Sequence, residues 1–187
     1  MIRTALLTGL VLAAPLSGCK PPPSDAAVAR VSLLSGARGP SEPLASPDTT
    51  RALWAPSAPA KGGALRLVYG VPGQPVLLAV ECVDPASPDA RLRITRHAPA
   101  DAGAGALLAL VGNGAIGRIA VDAASDGGRR LWRGEAPAAH PAWEALNGVR
   151  EATATVPGAG LVRLNASPLP MELITACRGP GLPADPA

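Results

Sequence analysis

The sequence predicts an all-β domain, a small sandwich or barrel-like fold with two short helices, one of them C-terminal, behind a disordered N-terminal tether. Three observations lead there. From Ala64 to Gly179, short apolar runs are separated by clusters of Gly, Pro, Asn and Asp, the pattern of strands joined by tight turns. Several runs alternate apolar with polar residues, as Leu92 and Ile94 do against Arg91, Arg93 and Thr95, which is the period of a half-buried strand. Before Ala64 the pattern disappears. Pro, Ala, Ser and Gly dominate from Lys20 to Gly63, a composition that buries too little surface to offset its ordering entropy.

Taken in order, the domain 64–179 opens with a strand at Leu65–Tyr69, and Val71-Pro72-Gly73-Gln74 then suits a type II turn. The next strand, Val76–Cys82, places Val76, Leu78, Val80 and Cys82 on one face. A loop over 84–90 leads to the strand Arg91–Thr95, with Leu92 and Ile94 inward. Ala106–Val111 reads as a buried strand, Ile116–Asp122 as its partner, and Asp126-Gly127-Gly128 as a turn before Arg130–Arg133. Pro141–Leu146 reads as a short helix with Pro in its first turn, stopped at Asn147-Gly148. A hairpin pairs Glu151–Val156 with Leu161–Asn165 across Pro157-Gly158-Ala159-Gly160. The last helix starts at Ser167, a favourable N-cap, and ends at Gly179, with Leu169, Leu173 and Cys177 on one face. Residues 180–187 read as a Pro-rich disordered tail. With no Phe, one Tyr and three Trp in the chain, Leu, Val, Ile and Ala are expected to build the core.

Residues 1–18 have the layout of an export leader: Arg3 for positive charge, an apolar run over Ala5–Ala14, and the small residues Ser17-Gly18. The run is shorter than the roughly 20 residues a bilayer span takes. Leu16-Ser17-Gly18-Cys19 matches the lipobox of bacterial lipoproteins residue for residue, and the chain resembles that family in this leader alone. The resemblance implies cleavage before Cys19, lipidation (palmitate among the acyl groups) at Cys19, and a lipid anchor. Each buried methylene contributes about 0.8 kcal/mol, so two or more acyl chains hold a protein on a membrane. Residue 20 is Lys rather than Asp, which by the usual sorting pattern of the family implies the outer membrane, with the domain facing the periplasm. The segment 19–63 then reads as a flexible tether of about 40 residues, spanning roughly 35 Å as a coil.

The net charge of +3 overstates basicity for the domain, because from Lys61 onward 12 Lys and Arg face 11 Asp and Glu. That balance, with export, argues against nucleic acid, whose binders concentrate basic residues on one face. With Cys19 lipidated, Cys82 and Cys177 remain as an even pair in an oxidising compartment. They are expected to form a disulfide that closes a loop of 95 residues.

Gly112-Asn113-Gly114-Ala115-Ile116-Gly117 is a literal G-x-G-x-x-G after an apolar run, the dinucleotide-binding pattern. Asp126-Gly127-Gly128 arrives too soon for a crossover helix, and the β-branched Ile116, Ile119 and Val121 suit a strand. The segment is therefore read as a hairpin turn, and no nucleotide or other cofactor is expected. His97 and His140 lack metal-ligand spacing, and no G-x-S-x-G or H-E-x-x-H occurs. Asp122 and Asp126 lack the further ligands of a calcium loop, and among Glu81, Asp84 and Asp89 the two aspartates lie in a turn. Arg91, Arg93, Thr95 and His97 share the outward face of one strand, with Arg129, Arg130 and Arg133 on another. Together they would make an anion-binding patch for carboxylates or phosphates, or else an ordinary solvated face. The expectation is a non-catalytic envelope module that meets an envelope protein or a cell-wall glycan. The alternatives are a periplasmic inhibitor of a hydrolase such as lysozyme, and an enzyme.

Overall fold

The computed structural model describes residues 42–58 and 65–179. Nine antiparallel strands form one sheet that curls into a nearly closed barrel: β1 (Leu53–Pro56), β2 (Arg66–Gly70), β3 (Leu78–Val83), β4 (Arg91–Pro99), β5 (Gly105–Gly112), β6 (Ala115–Asp126), β7 (Arg129–Pro137), β8 (Ala152–Thr155) and β9 (Leu161–Leu164). Their order is β1-β2-β3-β4-β7-β6-β5-β8-β9. A 3-10 helix (Pro141–Leu146) lies between β7 and β8, and the chain's one described α-helix, α1 (Leu169–Arg178), follows β9. The all-β class, the two short helices and the C-terminal position of one of them agree with the sequence reading.

The tether assigned to 19–63 needs correction over 42–58, because this Pro-rich stretch belongs to the barrel. β1 pairs with β2 from Leu53↔Gly70 to Pro56↔Leu67. Upstream of it, the Leu44 N–H donates to Gly158 O (2.9 Å), and Ser46 Oγ accepts from the Leu161 N–H (3.0 Å). Low apolar content does not predict this order because the segment is held by backbone hydrogen bonds along the β8–β9 edge and by three buried residues, Thr49, Ala52 and Trp54. The leader, Cys19 and the tail 180–187 lie outside the described residues.

All four aromatic residues, Trp54, Tyr69, Trp132 and Trp143, are buried, which corrects the expectation of a purely aliphatic core. Trp54 and Tyr69 are cross-strand partners whose ring centroids lie 5.0 Å apart, a spacing typical of favourable aromatic pairs. Three of the four form hydrogen bonds with backbone groups. Trp143 Nε1 donates to Pro137 O (2.8 Å), Trp132 Nε1 to Pro99 O (3.2 Å), and Tyr69 Oη accepts from the Asn165 N–H (3.0 Å).

The strand at Ala106–Val111, expected to be buried, covers its neighbours with one face only. Leu108 and Leu110 point inward at 0% exposure, whereas Leu107 and Val111 are exposed. Its hairpin with β6 turns through Asn113 (φ 52°) and Gly114 (φ 82°), two consecutive positive φ values that a tight I′ turn requires. The other glycines of the pattern have a different job. A Cβ on Gly117 would sit 2.5 Å from Ala142, and one on Gly112 would sit 2.5 Å from the Ala152 side chain and 2.9 Å from Ala145 O. These glycines let the 3-10 helix lie directly on the end of the β5–β6 hairpin. His140 caps that helix, its Nδ1 accepting from the Ala142 N–H (3.1 Å).

α1 packs beside the 3-10 helix and against β1–β4, burying Leu173, Ile174 and Cys177. Pro168 rather than Ser167 occupies its cap, although Ser167 Oγ still accepts from the Leu169 N–H at 3.3 Å. Cys177 and Cys82 are joined by a disulfide with Cα atoms 5.6 Å apart, so the last helix is covalently fixed to β3. Arg178 adds a polar link, donating to Ala138 O (2.8 Å) and to Glu144 (3.3 Å).

Two outcomes follow for stability. Closing a loop across a sequence separation of 95 is worth about 2–4 kcal/mol in typical measurements; Cys82→Ser with Cys177→Ser should lower the urea-unfolding free energy by that amount. Gly117→Ala should destabilise by about 1–3 kcal/mol through overpacking against Ala142.

Candidate functional site

The richest concentration of polar side chains lies on the outer wall of β2, β3, β4 and β7. Register produces it. Arg66 pairs with Glu81, Glu81 with Arg93, and Arg93 with Glu135, giving one row of alternating charge across four strands, the favourable arrangement for cross-strand neighbours. One step along, the row is Val68, Ala79, Thr95 and Arg133. Ala79 and Thr95 are small, and both are buried although they face outward. They form the floor of a recess of about 230 Å³ walled by Arg66, Glu81, Arg93, His97, Asp126 and Arg133.

The arginines expected to form an anion patch divide into three groups. Arg91 and Arg93 converge on Glu135: Arg93 Nε lies 2.6 Å from Oε1 and Arg91 Nε lies 3.5 Å from Oε2. Arg93 also reaches Glu81 at 3.6 Å. These two guanidiniums are neutralised within the wall, as in the solvated-face alternative. Arg133 makes looser contacts, 3.9 Å to Asp126 and 3.5 Å to Thr95 Oγ1. Arg129 and Arg130 are exposed at the β6–β7 hairpin end, paired in register with Asp126 and Ser125, and neither lines the recess. Strand alternation sends Arg130 to the opposite side from Arg129 and Arg133, so the five arginines do not share one face. Arg66 belongs to the recess and escaped notice, because only the β2–β3–β4 register reveals that it stands beside Arg93.

Comparison with protein-family models, curated proteins and solved structures finds no match. The chemistry of the site therefore rests on its own geometry.

His97 is the unusual member. Its Nε2 is buried and has no partner among the described residues. Burial first, then the positive charges of Arg66, Arg129 and Arg96, push its pKa below the ordinary value, with Asp126 opposing them. The imidazole is thereby held neutral at pH 7. Behind it, Arg96 points into the barrel, where Nη1 donates to Leu77 O (3.0 Å) and Nη2 to Ala159 O (2.8 Å). Its Nε is unpartnered, and burial lowers its pKa. Arg96 thus joins the segment before β3 to the β8–β9 turn from inside, at an inward position in line with Leu92, Ile94 and Ala98.

The remaining candidates separate. Glu81 is engaged with Arg93 and Asp126 with Arg133. Asp84 and Asp89 lie in the loop after β3, where Asp84 has a φ of 53° and the Asp89 N–H donates to Ser87 Oγ. Asp122 faces outward on β6 opposite Gly105. No group of three His, Cys, Asp or Glu among the described residues is arranged for a metal ion. Gly112–Gly117 runs into strand β6 rather than a helix, so the helix N-terminus that a pyrophosphate would need is replaced by a strand.

The His97 environment predicts a pH dependence. Because the folded pKa is below the unfolded value of about 6.5, the unfolded chain binds more protons, and the stability tied to neutral His97 is complete above about pH 6.5 and declines as pH falls toward the folded pKa. Urea unfolding of the native chain and of His97→Asn between about pH 7.5 and 5 should show the steeper decline in the native chain. Parallel profiles would mean that His97 protonates equally in both states.

Proposed function

We propose that this chain is a lipid-anchored cell-envelope protein whose disulfide-tied barrel serves as a non-catalytic binding module. One observation carries the reading. The chain has three cysteines, and Cys82 and Cys177 are joined to each other, leaving Cys19, the last residue of Leu16-Ser17-Gly18-Cys19, as the odd one. A disulfide suits an oxidising, exported environment. The remaining thiol then stands where the lipobox requires it.

The rest of the molecule is compatible with a binding role. Its most polar feature is a recess of fixed charges held on rigid strands, a form suited to recognition. Membrane attachment would come from acyl chains at Cys19, outer-membrane residence from Lys20, and the partner would be an envelope protein or a cell-wall glycan.

Growth of a Gram-negative host with a clickable palmitate analogue tests the anchor. The native chain should carry the label and fractionate with the outer membrane, and Cys19→Ser should carry none. An unlabelled native chain overturns the proposal.

A further inference from the structure

The recess on the β2–β3–β4–β7 wall has donors left over after its internal pairing. Its lining holds three guanidiniums, Arg66, Arg93 and Arg133, and two carboxylates, Glu81 and Asp126. Arg93 is engaged by Glu81 and Glu135. Arg66 makes no ion pair among the described residues, and Arg133, whose Nε donates to Thr95 Oγ1 at 3.5 Å, meets Asp126 through Nη2 at 3.9 Å. His97 Nε2, buried without a partner, belongs to the same recess.

We propose that this recess binds a monosaccharide-sized ligand through a single carboxylate, held by the guanidiniums of Arg66 and Arg133. Three features select that chemistry. The excess of one positive charge in the lining matches one negative group, whereas Glu81 and Asp126 repel a second. The planar donor fork of Arg fits a carboxylate edge-on. The volume of about 230 Å³ falls below the roughly 300–1,000 Å³ of sites for drug-sized ligands, and the small floor residues Ala79 and Thr95 set that depth. The proposal does not depend on the lipid anchor.

The full chain, purified in a nonionic detergent, can be titrated calorimetrically at constant ionic strength with three probes. N-acetylmuramic acid carries the carboxylate, N-acetylglucosamine is a related amino sugar without it, and inorganic phosphate offers a different anion. Saturable binding of N-acetylmuramic acid, with none of N-acetylglucosamine, is the expected result. Arg66→Ala and Arg133→Ala should each weaken it at least about tenfold, as loss of a charged hydrogen bond does. Arg118→Ala, on the exposed face of β6, should leave it unchanged, and unaltered melting temperatures would show that the variants fold. Binding of phosphate in preference to N-acetylmuramic acid, affinity indifferent to Arg66 and Arg133, or no saturable heat from N-acetylmuramic acid would overturn the proposal.

Discussion

A nine-stranded sheet that curls without closing leaves two edges, and an edge strand exposes a row of unpaired backbone donors and acceptors. Here the edges are β1 and β9, and Asn165 spans the gap between them. Its side-chain amide donates to Thr49 O (3.1 Å) and Ala52 O (2.7 Å), while its own N–H is taken by Tyr69 Oη. Residues 44–46 continue the seal along the β8–β9 turn. One amide side chain and a Pro-rich strap thus complete what strand pairing leaves open. Arg96 braces the same region from inside by holding the turn residue Ala159.

Small residues govern how the ends of the barrel are covered. Gly112 and Gly117 allow the 3-10 helix to sit against the β5–β6 hairpin without an intervening side chain. Gly160 does the same for the strap, since a Cβ there would lie 2.6 Å from Ala45 O. Close backbone approach partly replaces the bulk that a core without Phe lacks. The four aromatic residues, each anchored through stacking or a polar handle, fill the remaining space. The disulfide then fixes α1 to β3 on the side where no strand covers the interior.

The two outer walls of the barrel differ in character for a reason that lies in register. Across β2, β3, β4 and β7, arginines and glutamates alternate from strand to strand and largely neutralise one another, leaving Arg66, Arg133 and His97 around a small floor. On β5 and β6 the outward positions include Leu107, Val111 and Ile116, all exposed, with Arg118 among them. The proposed recognition belongs to the first wall, where rigid strands hold the charges and burial, with nearby positive groups, lowers the His97 pKa.

Local signals were enough for much of this protein. Period-two alternation located β4, Pro72-Gly73 and Asn113-Gly114 located two turns, and the cysteine count anticipated the bond between Cys82 and Cys177. These features depend on neighbours along the chain, or on the pairing chemistry of two cysteines. Other features became definite only when distant segments met. Residues 42–58 have no period of their own, and their order comes from the sheet edges they cover. The role of Gly112 and Gly117 depends on Ala142, Ala145 and Ala152, which are remote in sequence. The recess needed the β2–β3–β4–β7 register to bring Arg66 beside Arg93 and to remove Arg130 from the group. Sequence by itself determined the location of β2 to β9, the turns and the cysteine pair, because backbone stereochemistry and side-chain period act locally, whereas β1 lies in the stretch read as tether. Tertiary structure decided the closure of the barrel and the membership of the site, because both are set by which strands become neighbours.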